Sequence, residues 1–201
     1  MSYAHGMPAV YDNLASGYDL AFKPLDALGL TRLRRETLAL LPVDGTILEV
    51  GAGTGANFAH YPPCKLAVAS EFSIKMIEVA VGKTSTIRLV QTNAEMLPFP
   101  ADHFDAAFAT LVFCSIPDPA LAFAELRRVV KPGGRIVLLE HVRPDNLLGP
   151  VFDLINVASM AIAQDHFNRR TAQTAAASGL KIVEVRKKLL GIVNLIVCDV
   201  N

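Results

Sequence analysis

Glu49-Val50-Gly51-Ala52-Gly53-Thr54-Gly55-Ala56 is the stretch with the clearest chemical content. Gly51, Gly53 and Ala56 fit the spacing G-x-G-x-x-G/A. Glycines so placed after a strand let a ligand approach the backbone closely, and the helix that follows offers unpaired N–H groups. Glu71 stands 20 residues beyond Gly51, where an acid can accept hydrogen bonds from ribose hydroxyls. Together they describe a site for an adenosine-containing ligand. Glu49 chooses among such ligands, because it lies two residues before the first glycine, close to where a pyrophosphate would sit. A fixed carboxylate there repels phosphate, with about 4 kcal/mol at stake at 4 Å and an effective dielectric of 20.

S-adenosylmethionine has no phosphate. It carries a sulfonium and an α-ammonium, both suited to an acid, and Gly55 extends the loop to G-x-G-x-G in the same sense. Methyl transfer from a sulfonium is an in-line displacement, so the protein mainly supplies orientation and exclusion of water. An amine acceptor must first lose a proton, and a base is expected. His141 follows a strand-like run, at the end of the sheet where ligands of such folds gather, and is the first candidate. The alternative is a histidine hydrogen-bonded to a neighbouring loop. Tyr18 is the second candidate, its ring over the sulfonium and its hydroxyl toward the acceptor, or else an aromatic packed on the core. Tyr11-Asp12 repeats the Tyr18-Asp19 pair. Arg169-Arg170 reads either as a phosphate-binding pair or as a solvated helix face. No clustered metal-ligand spacing occurs. Cys64, Cys114 and Cys198 are odd in number and far apart, which reads as reduced thiols.

The elements that must hold these residues alternate strand with helix. Thr46–Val50, Leu66–Ser70, Thr86–Val90, Phe104–Phe113 and Arg135–Glu140 read as strands. Ser73 and Asp118-Pro119 are helix starts, and Lys131-Pro132-Gly133-Gly134 is a stop. Leucines at helical spacing fill 25–41, and 147–163 and 168–178 read as further helices, with Gly179 as a C-cap. Lys181–Val185 and Ile192–Val200 are two last strands. The predicted fold is α/β, a Rossmann-like seven-stranded, mostly parallel sheet with helices on both faces and an antiparallel last strand. One domain is expected: a helical cap over 1–45, a cofactor-binding core over 46–141, and substrate-side helices and last strands over 142–201.

Lys+Arg and Asp+Glu balance at 19 each, which argues against a nucleic-acid partner. At 52% hydrophobic and 19% charged the chain is neither disordered nor fibrous. With no signal peptide and no spanning run, a cytoplasmic protein is expected. Residues 147–163 read as the wall of a greasy pocket, as a helix in peripheral contact with the inner membrane surface, or as a helix buried over the sheet.

Leu48-Glu49-Val50-Gly51-Ala52-Gly53-Thr54-Gly55, the acid Glu71, Asn93-Ala94-Glu95-x-Leu97-Pro98-Phe99, Phe104-Asp105 and Arg128-Val129-x-Lys131-Pro132-Gly133-Gly134 resemble the motifs of class I S-adenosylmethionine-dependent methyltransferases. The resemblance spans roughly residues 11–179. It implies that the glycine loop, with Ala52, holds the methionine part, that Glu71 holds the ribose, and that Asn93 and Ala94 hold the adenine. Asn93 stands where that family usually has Asp. Phe72, Met76, Glu95 and Leu111 are implied as neighbours of the cofactor, with Tyr18 on a helix folded over it. Leu111–Pro119, Glu140-His141-Val142 and Phe167–Arg170 are similar to small bacterial phospholipid N-methyltransferases and to thiol methyltransferase-like proteins. The implied acceptor is a small or lipid-like amine, best met by phosphatidylethanolamine, with a thiol or a quinone as the alternative. A nicotinamide oxidoreductase is more distant, because of Glu49.

Overall fold

The computed structural model describes residues 7–145, 147, 149–162, 166 and 168–201. In chain order its elements are α1 (Met7–Leu14), α2 (Tyr18–Ala27), α3 (Leu30–Leu38), β1 (Thr46–Val50), β2 (Leu66–Glu71), α4 (Ile74–Val81), β3 (Arg88–Gln91), β4 (Phe104–Thr110), α5 (Pro119–Val129), β5 (Val130–His141), α6 (Gly149–Ile162), α7 (Thr171–Ala177), β6 (Lys181–Lys188) and β7 (Val193–Asp199). The strands form one seven-stranded sheet in the order β3-β2-β1-β4-β5-β7-β6. Pairing is parallel from β3 to β5, and β7 runs antiparallel to both β5 and β6. This is the Rossmann-like fold expected from the sequence.

Period-two burial explains why helices cover both faces. Leu48, Val50, Ala107, Ala109, Ile136 and Leu138 point to one side, where α5 contributes Ala122, Phe123, Leu126 and Val129. Ile47, Ala106, Phe108, Val137 and Leu139 point to the other, against Leu30, Leu33 and Leu38 of α3. The caps follow the sequence: the Ser73 hydroxyl accepts from Met76 N–H at 3.1 Å, and the Asp118 carboxylate accepts from Ala120 and Leu121 N–H.

Several boundaries differ from expectation, among them β3, which starts two residues later, and β6, which runs on to Lys188. The helical pattern over 25–41 is broken at Gly29, whose φ of +107° separates α2 from α3. β4 stops at Thr110, because Leu111 takes a left-handed φ of +59° and the Glu140 carboxylate accepts the N–H groups of Val112 and Phe113 at 3.0 and 3.3 Å. The stop at Lys131–Gly134 is a bulge within β5, between the pairs Phe104–Val130 and Ala106–Arg135. Part of the expected helix at 147–163 lies outside the described residues, and the expected helix at 168–178 is observed as α7, which starts only at Thr171.

Candidate cofactor and active site

In this strand order β2 and β3 lie on one side of β1, and β4 and β5 on the other. A crevice must therefore open at the carboxyl ends of β1 and β4. A cavity of about 500 Å³ lies there. Its walls are the loop after β1 (Gly51, Ala52, Gly53, Thr54, Ala56), the end of β2 with the start of α4 (Glu71, Phe72, Met76), and the loop after β3 (Asn93, Ala94, Glu95). The loop after β4 (Leu111, Val112, Ser115, Ile116, Pro117) and Tyr11, Tyr18 and Arg34 complete them. Eleven of the sequence-predicted positions thus line one space: Tyr18, Gly51, Ala52, Gly53, Glu71, Phe72, Met76, Asn93, Ala94, Glu95 and Leu111.

The glycines serve different ends. Gly51 has φ +69°, and a Cβ on it would stand 2.5 Å from the Val112 side chain, so it lets the loops after β1 and β4 close on each other. Gly53 has φ +56° and nothing within 4 Å of such a Cβ. That open space is the cavity, and only a ligand would contest it. Gly55 does not line the cavity. It packs against the Phe58 ring, 2.5 Å from where a Cβ would be.

Glu71 is built into the site twice over. Its carboxylate accepts from Gly53, Phe72 and Ser73 N–H, each at 2.8 Å, pinning the glycine loop to the start of α4. Two carboxylate oxygens offer about four acceptor positions, so room for a ribose hydroxyl remains. Burial raises its pKa, and the three N–H groups hold it back. The Asn93 carbonyl oxygen accepts from Glu95 N–H at 2.9 Å, and Glu95 accepts from Asp118 N–H at 2.7 Å. These bonds shape the loop expected to meet the adenine. A cradle open at Gly53 with an acceptor beside it fits a nucleoside.

Besides Gly55, two more predicted residues lie elsewhere. Glu49 alternates with Leu48 and Val50 in β1, so it points to the α3 face and is fully buried behind the cavity. Its carboxylate accepts from Asn57 Nδ2 at 2.6 Å and from the Tyr61 hydroxyl at 2.5 Å. Burial pushes it up to about 7, against those two bonds and the charge of Arg34. His141 ends β5 and does not line the cavity. Burial, with the charge of Arg169 added, pushes its imidazole down to about 4, leaving a weak, neutral base at pH 7.

The Glu49 shift has a measurable sign. Its folded-state pKa lies above the ordinary 4.5, so folding favours the protonated carboxyl, and stability present below about pH 4.5 is lost as pH rises to about 7. Glu49→Gln cannot titrate. Wild-type stability should therefore fall against Glu49→Gln by up to about 1.4 kcal/mol per pH unit across that window. Urea unfolding of both proteins at pH 5 and pH 8 checks this, and parallel profiles would contradict it.

Arg34 was not foreseen. It is 7% exposed, and its Nη1 donates to Thr110 Oγ1 at 2.7 Å and Asn57 Oδ1 at 3.1 Å. The available signal is its place in the stripe Leu30, Leu33, Arg34, Thr37, Leu38, a cation at the helical spacing of a buried face. The two Tyr-Asp pairs also resolve. Both tyrosines line the cavity. Asp12 accepts from Ser73 Oγ at 2.5 Å, and Asp19 accepts from Thr54 Oγ1 and Lys83 Nζ, each at 2.5 Å. α1 and α2 are thus fastened across the site.

Residues 48–138 match the methyltransferase-domain family. The chain is 34% identical over 140 residues to the demethylmenaquinone methyltransferase of Renibacterium salmoninarum, covering 68% of this chain and 59% of that protein. It is 32% identical over 174 residues to the ubiquinone/menaquinone biosynthesis C-methyltransferase UbiE of Ectopseudomonas mendocina, covering 80% of this chain and 68% of that one. An S-adenosylmethionine-dependent methyltransferase of Thermotoga maritima superposes with a TM-score of 0.76 at 19% identity, over 97% of this chain and 100% of that one. A likeness that covers two-thirds of a relative at more than 30% identity settles descent: the chain belongs to the class I S-adenosylmethionine-dependent methyltransferases, an enzyme family whose cofactor is S-adenosylmethionine.

Proposed function

We propose that the methyl acceptor is a ring carbon of a reduced, lipid-borne quinone. The observation that carries this reading is the identity to proteins named as demethylmenaquinone and ubiquinone/menaquinone C-methyltransferases. Phosphatidylethanolamine, the acceptor first expected from local sequence pattern, has no counterpart in those names.

When bound, the cofactor supplies a methyl group on a positively charged sulfur. The chain supplies placement and dryness. Glu71 and the loop at Asn93 hold the adenosyl end, and the glycine loop holds the amino-acid end. Tyr11 and Tyr18 close the site from above. In the reaction the ring carbon's electron pair forms the new C–C bond, the electron pair of the broken S–C bond stays on sulfur, and the ring proton passes to water. Peripheral contact with a membrane belongs to the same reading, since the acceptor lives there. Leu147, Val151 and Leu154 are exposed at helical spacing, and Leu189 and Leu190 are exposed at the tip between β6 and β7. Among the described residues no helix is long and apolar enough to cross a membrane.

Methyl-labelled S-adenosylmethionine, offered with reduced demethylmenaquinone in vesicles, phosphatidylethanolamine vesicles and a panel of thiols, tests the reading. Label is expected in the quinol. Label in the amine lipid or in a thiol, with none in the quinol, would overturn it.

A further inference from the structure

Glu49 is a fully buried carboxyl one layer behind the cavity. Val50, the next residue of β1, lines the cavity, and so do Ser70 and Thr110 on the neighbouring strands β2 and β4. The carboxyl accepts from two neutral donors, Asn57 Nδ2 and the Tyr61 hydroxyl. Asn57 Nδ2 also donates to Thr110 Oγ1 at 2.9 Å, so a single hydrogen-bonded layer stands between the acid and the cavity.

The neighbours balance its charge weakly. Arg34 comes from α3, but its Nη1 is bonded to Asn57 and Thr110. Glu71, from the end of β2, opposes ionisation. Burial keeps the Tyr61 hydroxyl protonated, and β4 contributes the uncharged Phe108 and Thr110. A carboxyl removed from water resists ionisation unless a positive charge stands close. Burial accordingly pushes Glu49 up to about 7, where a modest added field decides its state.

The cofactor can supply that field. S-adenosylmethionine and its product S-adenosylhomocysteine share the nucleoside and the amino-acid end. They differ by one methyl group and one positive charge on sulfur. A ribose at Glu71 puts the sulfur over the end of β1. Gly51 there is two residues beyond Glu49, about 7 Å at the rise of a strand. Between buried groups at that distance, salt screens little.

We propose that Glu49 is the residue by which the site tells the charged cofactor from its neutral product, without touching either. Bound S-adenosylmethionine drives the proton of Glu49 into water, and the carboxylate left behind attracts the sulfonium. Once the methyl group has been transferred, sulfur is neutral, Glu49 takes a proton back from water, and that attraction is gone.

Calorimetric titration of both ligands at pH 6 and pH 8 tests this. Glu49→Gln copies the neutral acid and cannot ionise. The ratio of the two affinities, cofactor over product, should rise at least about threefold more in wild type than in Glu49→Gln over that interval. Titration of the ligands' own amino groups is common to both proteins and cancels in the comparison. Tyr61→Phe keeps the ring that packs on Phe58 and Phe108 but removes a donor to the carboxylate. It should move the rise to higher pH, and it decides the case even where Glu49→Gln folds poorly. A ratio that climbs equally in wild type and Glu49→Gln would overturn the assignment. So would the same pH profile in wild type and Tyr61→Phe.

Discussion

Gly53→Val is expected to leave no detectable S-adenosylhomocysteine binding at concentrations 100-fold above the wild-type dissociation constant, while the protein stays folded. A side chain at this position meets no protein atom within 4 Å, so the core has nothing to rearrange. The new branches stand instead in the space a nucleoside must fill. The backbone does impose a cost, since φ is +56° and a β-branched residue is strained there by about 1–3 kcal/mol. That is small enough for the far-ultraviolet circular dichroism spectrum to survive with a lower melting temperature. Gly53→Ala, smaller and less strained, should retain weak binding. Full affinity in the valine variant would mean that the ligand does not approach the loop where Gly53 faces the cavity.

Glu71→Ala should be nearly as severe, by a different route. The carboxylate holds three backbone N–H groups, and truncation orphans all of them at the joint between the glycine loop and α4. Each orphaned donor costs about 1–3 kcal/mol where water cannot replace the acceptor. Both stability and affinity should fall, affinity by at least about 100-fold once the ribose contact is lost as well. Because the ribose is common to both nucleosides, S-adenosylhomocysteine and 5′-methylthioadenosine, the same thioether nucleoside without an amino-acid end, should lose affinity together. Parallel titrations of the two ligands decide the matter. Methylthioadenosine bound as tightly as by wild type would place the ribose elsewhere.

What the sequence makes legible is what is local. Alternation in Thr46–Val50 and Phe104–Thr110, the caps at Ser73 and Asp118, and the loop at Gly51–Gly55 each depend on neighbours a few residues away. The antiparallel β7 follows from a last pair of strands joined by a short turn. The misplacements are tertiary. Glu49 was weighed by its distance along the chain from the glycines, whereas strand alternation had already turned it to the opposite side. His141 sits at the right end of the right strand, but it is shut away beside Arg169. Arg34 comes from a helix 17 residues before Gly51. Its partners meet only once α3 is laid on the sheet, so motif spacing around the loop could not reveal it.

Asp12 and Asp19 grip the two ends of the same short helix. Asp12 holds the Ser73 cap where α4 begins, and Asp19 holds Lys83 just past its end. At 1.5 Å per residue α4 is about 12 Å long, and it serves as a ruler for the segment laid along it. The interval between the two Tyr-Asp pairs is thereby a measured length, and inserting or deleting one residue between them would leave one of the tyrosines out of place above the pocket.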